Sequence, residues 1–137
     1  MIRFATQRDV PALLGLWAVA AENDSRPTDT PAMVEALLAR DPESCFVAEE
    51  DSGEIVGSII AGWDGWRAHL YRLAVHPDAR RRGIGSALLA AAEARLRDLG
   101  ASRFDAMVLE GNHLGQSVWV DAGYARQPEW RRWVRPS

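Results

Sequence analysis

The chain has 137 residues, 16 of them basic and 19 acidic, for a net charge of -3 with histidine neutral. That length suits one domain spanning residues 1–137 and leaves no room for a second core of ordinary size. A content of 47% hydrophobic and 26% charged residues excludes a disordered chain, and the missing basic excess argues against nucleic acid as a partner.

Ile2 to Ala5 reads as a short strand, and Met1 to Thr6 lacks the apolar core of a signal peptide. Thr6 and Asp9 have capping-box spacing before a helix that carries Val10, Leu13, Leu14 and Trp17 on one face and runs to about Glu22. Asn23 to Asp29 is a polar loop. The pair Thr30-Pro31, a cap followed by proline, opens a second helix that ends near Arg40. Cys45 to Glu49 and Glu54 to Trp63 are strands joined by a turn at Asp51-Ser52-Gly53, and Gly57 and Gly62 suggest a bulge or bend in the second. Cys45 is the single cysteine, so neither an internal disulfide nor a thiolate metal cage is expected, and no metal.

After a turn at Asp64-Gly65, Arg67 to His76 reads as a further strand. The strongest helix follows, from about Gly83 to Leu99, with Ile84, Leu88, Leu89, Ala92 and Leu96 on one face and Gly100 as its stop. Phe104 to Leu109 is a strand, His113 to Ala122 a short helix ended by Gly123, and Tyr124 to Val134 a last strand. Apolar runs such as Ala87 to Ala92 are far short of a membrane span. A cytoplasmic protein without a membrane partner is expected. The order β-α-α-β-β-β-α-β-α-β predicts an α/β (α+β) mixed sheet with helices on its faces.

The stretch most informative about function is Arg80-Arg81-Arg82-Gly83-Ile84-Gly85-Ser86, a tight turn leading into the long helix. The first turn of a helix leaves several N–H groups without partners, all pointing one way. Glycine bares those groups to a bulky anion, and three arginines add positive charge, so the segment suits a phosphate. Each N–H to a charged oxygen contributes about 1.5–3 kcal/mol, against about 0.3–1 kcal/mol for the helix dipole. Backbone donors therefore outweigh any one arginine. The dinucleotide fingerprint needs a third glycine where Leu88 stands, and no Gly-Lys-Ser/Thr triplet for a nucleotide triphosphate occurs.

With Leu73-Ala74-Val75-His76-Pro77 ahead of it, and Asn112, Trp119 and Gly123-Tyr124 after it, this string resembles the GNAT superfamily of acyl-CoA-dependent N-acetyltransferases. Arg80 to Gly85 matches its R/Q-x-x-G-x-G/A motif, and the likeness covers essentially the whole chain. The resemblance implies a mostly antiparallel sheet whose two central parallel strands splay apart to admit acetyl-CoA as co-substrate. It implies that Leu73, Ala74 and Val75 pair with the pantetheine arm, and that the amides around Arg81, Arg82, Gly83, Ile84, Gly85 and Ser86 hold the diphosphate, with Arg80 beside them. Asn112 would contact the pantetheine end. A backbone N–H near Ala74 or Val75 would polarise the thioester carbonyl.

Acetyl transfer to an amine needs a neutral amine, donors for the oxyanion and a proton or dipole for the departing thiolate. Family members commonly supply that proton from a tyrosine where this chain has Trp119, whose indole N–H donates but does not titrate. Tyr71 on the central strand and His69 two residues earlier share a face and are further candidates, His69 as a base. Tyr124 is expected to pack in the core. Glu22 and Glu110 are further candidate bases, Glu22 and Asp24 lie where the family's fold admits the acceptor and suit a cationic amine, and His76 and His113 read as turn and cap residues.

Trp63, Trp66, Trp130 and Trp133 suggest a binding or dimer surface, so a homodimer is one expectation. The expected activity is transfer of an acetyl group to an amine of a small molecule or protein. The alternative is an acyl-CoA-binding sensor or interaction module without turnover.

Overall fold

The structure, a computed structural model, describes residues 1–21 and 27–137. Its elements in chain order are β1 (Ile2–Phe4), α1 (Val10–Ala20), α2 (Pro31–Arg40), β2 (Cys45–Glu49), β3 (Ile55–Trp63), β4 (Ala68–Val75), α3 (Ile84–Leu99), β5 (Phe104–Ala106) and α4 (His113–Asp121), with 3-10 turns at Gln7–Asp9 and Pro77–Ala79. One five-stranded sheet takes the order β1-β2-β3-β4-β5, antiparallel except for the parallel pair β4–β5. The fold is the expected mixed α/β sheet. The expected ends of the first helix at Glu22 and most of the loop from Asn23 lie outside the described residues.

Helices cover both faces, which is why β2 and β3 read as nearly continuous apolar runs instead of alternating ones. On one face Leu88, Leu89, Ala92 and Leu96 of α3 pack on Phe46, Ala48, Ile59 and Leu70. On the other, Val10, Leu13 and Trp17 of α1 with Val34 and Leu38 of α2 pack on Val47, Ile60 and Ala74. Gly57 sits where α3 comes nearest the sheet. A Cβ there would stand 2.9 Å from Leu88 Cδ1 and 3.0 Å from Ile84 Cγ2. Its missing side chain serves a close helix approach, and the expected bulge is there too: Ala48 pairs with Gly57 and Glu49 with Ile55, leaving Val56 as the extra residue of β3.

A second bulge lies on the neighbouring strand. Ser58 pairs with Ala74 and Ile60 with Tyr71, so two residues of β4, Arg72 and Leu73, face the single residue Ile59. This bulge reverses which residues face which layer. Ala68 and Leu70 join the α3 face before it, and Leu73 and Val75 join that same face after it.

Local signals at the element ends hold. Thr30 Oγ1 accepts from Met33 N–H at 3.3 Å with Pro31 first in α2, and Gly100 closes α3 at φ +112°. At the Asp64-Gly65 turn, Asp64 Oδ1 accepts from the N–H groups of Trp66 (2.8 Å) and Arg67 (2.6 Å). Asp9 Oδ2 accepts from Thr6 N–H at 2.7 Å, and both its oxygens bind Arg3, at 2.8 and 3.0 Å.

The Arg3 guanidinium, then the Thr6 amide, holds the Asp9 carboxyl below its ordinary value of 3.8 against the opposing effect of burial. As pH falls, the unfolded chain therefore takes up the proton before the folded one. The stabilisation is complete above the unfolded value and disappears as pH drops through the lower folded value. Urea unfolding of Asp9→Asn against the parent should show a gap at neutral pH that shrinks as pH falls below the ordinary carboxyl value of 3.8. A gap that widens in acid would contradict this.

Two expected strands change. Phe104 to Leu109 shortens to β5, because the β4 bulge turns the strand away and pairing ends at Leu70–Ala106. Tyr124 to Val134 forms no strand. Tyr124 is drawn to α3 by a hydrogen bond to Glu93, Pro128 lacks a donor, and Trp130 and Trp133, three residues apart, cannot share a two-residue period. Both tryptophans are exposed, Trp133 at 93%. The parallel pair consequently lies at one side of the sheet.

Candidate active site

Pairing of the parallel strands ends at Leu70–Ala106, and the β4 edge beyond it bounds the candidate cleft. Ala68, His69 and Leu70 pair with Phe104, Asp105 and Ala106. Beyond them β4 continues through Val75, and among the described residues no strand pairs with Tyr71–Val75 on that side. The opposite wall, residues 107–110, is tied to α4 by Gln116, whose Nε2 donates to the carbonyls of Leu109 (3.0 Å) and Glu110 (2.6 Å).

The bulge beside this cleft is internally clamped. Arg72 has φ +53°, a left-handed conformation that costs a side-chain-bearing residue roughly 1–2 kcal/mol. Trp17 Nε1 donates to Ser58 Oγ at 2.8 Å, and Ser58 Oγ donates to the Arg72 carbonyl at 2.8 Å. The Arg72 guanidinium lies 5.3 Å from the centre of the Trp17 ring and pairs with Asp29, its side chain only 6% exposed. Trp17 is thus engaged by both ends of the same arginine.

At the far end of β4 the chain turns through Pro77–Ala79, where His76 Nδ1 accepts from Asp78 N–H at 3.2 Å as a turn residue. Arg81 and Gly83 both adopt positive φ, 65° and 76°, before α3 begins. Gly83 is the N-cap and, having no side chain, makes no side-chain cap bond. Among the described residues the first amides of α3 thus have no side-chain cap, the arrangement that accepts an anion. A Cβ on Gly85 would meet Val75 Cγ2 at 3.7 Å and Val118 Cγ1 at 3.8 Å, placing this first turn against both β4 and α4.

The three arginines are not equivalent. Arg80 Nε donates to the Val75 carbonyl at 3.3 Å, Arg82 pairs with Glu50, and Arg81 is exposed. With one charge met by Glu50, the backbone donors remain the larger resource for an anion.

Asn112 is the N-cap of α4, its Oδ1 accepting from Gly115 N–H at 2.9 Å; His113 is the first helical residue rather than the cap. Gly115 is forced by this cap, since a Cβ there would lie 2.3 Å from Asn112 Nδ2. Trp119 is 8% exposed and belongs to the core under α3, edge-on to Tyr124 at 4.9 Å. Tyr124 Oη donates to Glu93 Oε2 at 2.6 Å. Burial, then this carboxylate, pushes its phenol pKa up, so the proton stays with the pair.

His69 and Tyr71 are neighbours, their rings 6.1 Å apart. Strand alternation puts them on the side of β4 away from Leu70, and so away from Trp119. The three catalytic candidates therefore divide into one pair and one separate residue. Tyr71 is about half exposed; burial raises its pKa, while Arg132 of the C-terminal segment acts in the opposite sense. Glu110 is exposed and pairs with Arg126. Glu22 and Asp24 lie outside the described residues.

Arg72 and Ser58 are the site residues that sequence reasoning missed. A signal existed for Ser58, a lone hydroxyl inside the run Ile55 to Ile60, because a buried hydroxyl needs a partner. Among the described residues, no cluster of three or more His, Cys, Asp or Glu could hold a metal, and no helix is long and apolar enough to cross a membrane.

Comparison with known proteins adds to this geometry. The model of the Acetyltransferase (GNAT) family matches residues 11–126. A protein of Yersinia enterocolitica named as an acetyltransferase is 41% identical over 127 residues, covering 92% of this chain and 88% of its own. The crystal structure of a ribosomal-protein-alanine N-acetyltransferase from Brucella melitensis superposes with a TM-score of 0.73 at 26% identity, covering 90% of this chain and 83% of that one. The Rv2747 protein of Mycobacterium tuberculosis, solved in complex with CoA, has the same fold, with a TM-score of 0.67 at 23% identity over 85% of this chain and 69% of that one.

Proposed function

This chain belongs to the GNAT family of acetyltransferases, and from that premise we propose that it transfers an acetyl group from acetyl-CoA to a primary amine by direct attack in a ternary complex. The observation that carries this reading is a pair of features one turn apart. These are a β4 edge unpaired beyond Leu70 and a helix start without a side-chain cap. An extended pantetheine arm suits the first, pairing with Leu73, Ala74 and Val75 as an added strand does. A diphosphate suits the second, on the amides from Arg81 to Ser86, with Asn112 across the cleft on the β5 side. Acetyl-CoA supplies a thioester activated toward nitrogen nucleophiles.

The amine nitrogen forms its bond to the acetyl carbon as the carbon–sulfur bond breaks. A β4 amide next to the bulge donates to the carbonyl oxygen as charge gathers there. His69, the ring neighbour of Tyr71 on β4, is the base that takes the amine's proton. Tyr71, its pKa raised by burial, keeps its proton and acts as a hydrogen-bond donor. Trp119 is buried and cannot titrate, so the departing thiolate takes its proton from water.

A thiol-release assay with acetyl-CoA over a panel of small amines and peptides tests the proposal. The likeness to a ribosomal-protein-alanine N-acetyltransferase is the reason to include peptides with N-terminal alanine. At least one acceptor should release thiol. The position of Trp119 favours a second reading, a domain that binds acetyl-CoA without turnover. Binding with no release from any acceptor would select that reading.

A further inference from the structure

Resting on the reading just given, we propose that Ser58 and Trp17 are positioning residues for acetyl transfer, holding Arg72 left-handed so that the β4 amides after the bulge face the cleft. Arg72 is one of two non-glycine residues with positive φ among the described residues, and its chain carbonyl is gripped from outside its own strand. The grip begins at Trp17 on α1, 41 residues before Ser58. Ser58 is fully buried and its hydroxyl is used twice, as acceptor from Trp17 and as donor to Arg72. A core position between Gly57 and Ile59 would favour an apolar side chain. The polar one is matched to the single carbonyl that the bulge turns out of the ladder.

The same bulge returns Leu73 and Val75 to the α3 face, as the layer exchange requires. A relaxed Arg72 would let β4 regain regular pairing and would rotate the amides of Leu73 and Ala74. The clamp therefore acts on the geometry of the donors and not on the distant phosphate amides of α3. Asp29 and the Trp17 ring hold the Arg72 side chain from the same layer.

This makes a separable prediction. Ser58→Ala, which adds no bulk, should lower kcat by about tenfold to a hundredfold, the scale of a misplaced donor, and change KM for acetyl-CoA by a smaller factor than kcat, since the diphosphate amides are untouched. Trp17→Phe keeps a ring under the guanidinium but loses the N–H, and should move kcat the same way. Arg72→Gly permits the left-handed conformation without a clamp, so the double variant Ser58→Ala/Arg72→Gly should recover part of the lost kcat. A purely structural loss would deepen with the second substitution.

Amide exchange by NMR in the free protein gives a readout that needs no turnover. Ser58→Ala should speed exchange at Ala74, whose amide faces β3 opposite Ser58, and leave Ile84 to Ser86 unchanged. Parent-like exchange at Ala74, or an unchanged kcat, overturns the proposal, as does a deeper loss in the double variant. Faster exchange in a protein that acetylates nothing would uphold the clamp and sink the enzymatic reading instead.

Discussion

Gly85→Asp should abolish the thermal stabilisation that acetyl-CoA gives the protein while leaving the unliganded protein as stable as before. The two halves of that result have different causes. The space beside Gly85 accepts a Cβ in ordinary contact with Val75 and Val118, so the fold tolerates a small side chain. A carboxylate in the first turn of a helix is, if anything, favourable to the helix itself. The same carboxylate occupies the anion's place and repels it.

Losing two or more amide contacts to a diphosphate, each about 1.5–3 kcal/mol, weakens binding by about a hundredfold or more. Arg81→Ala removes one exposed guanidinium and should cost tenfold or less on the order set for surface pairs. Gly85→Ala is the control for bulk alone. Titration calorimetry with the three variants orders them directly. An Arg81→Ala loss larger than that of Gly85→Asp would place the grip on side chains rather than on the backbone.

Leu88→Ala should be the most damaging single truncation for stability. Leu88 is 0% exposed and packs on the sheet at Gly57, the tightest approach of α3 to β3. Because Gly57 has no side chain to move into the gap, the cavity cannot collapse readily. A loss of about 2–5 kcal/mol follows for a leucine in such a place. For a chain of this size that lowers Tm by roughly 5–15 °C. Urea unfolding measures it, and a loss below about 1 kcal/mol would mean that α3 moves in to fill the space. Acetyl-CoA should still raise the variant's Tm, since Leu88 makes no contribution to the anion site.

Leu88 also illustrates what the chain discloses before folding. Its apolar character where a dinucleotide loop carries a third glycine already separated this turn from that motif, and burial supplies the physical reason. The long helix, the Thr30-Pro31 start and the Gly100 stop were legible because caps and a 3.6-residue period are local properties. The Arg72 bulge was not, since its cause is a hydroxyl on β3 and an indole on α1, both remote in sequence. Gly57 gave a glycine signal that was right about the bulge beside it in β3; only the packing of α3 shows that the position is also reserved for a neighbour's side chain.

The supposed last strand failed for a related reason. Aromatic content suggested strand between Tyr124 and Val134, but strand formation needs an edge to pair with. The chain there instead follows Tyr124 down to Glu93 on α3. Trp119 is the site's departure from the family pattern, and the structure places it in the core against the partly buried Tyr124, whose hydroxyl donates to Glu93.

Backbone amide exchange with and without acetyl-CoA, resolved residue by residue, asks the protein where it holds the diphosphate. The account predicts marked slowing at Gly83, Ile84, Gly85 and Ser86, with a second protected stretch at Leu73 to Val75. Protection confined to other segments, or none at all at saturating acetyl-CoA, would contradict it.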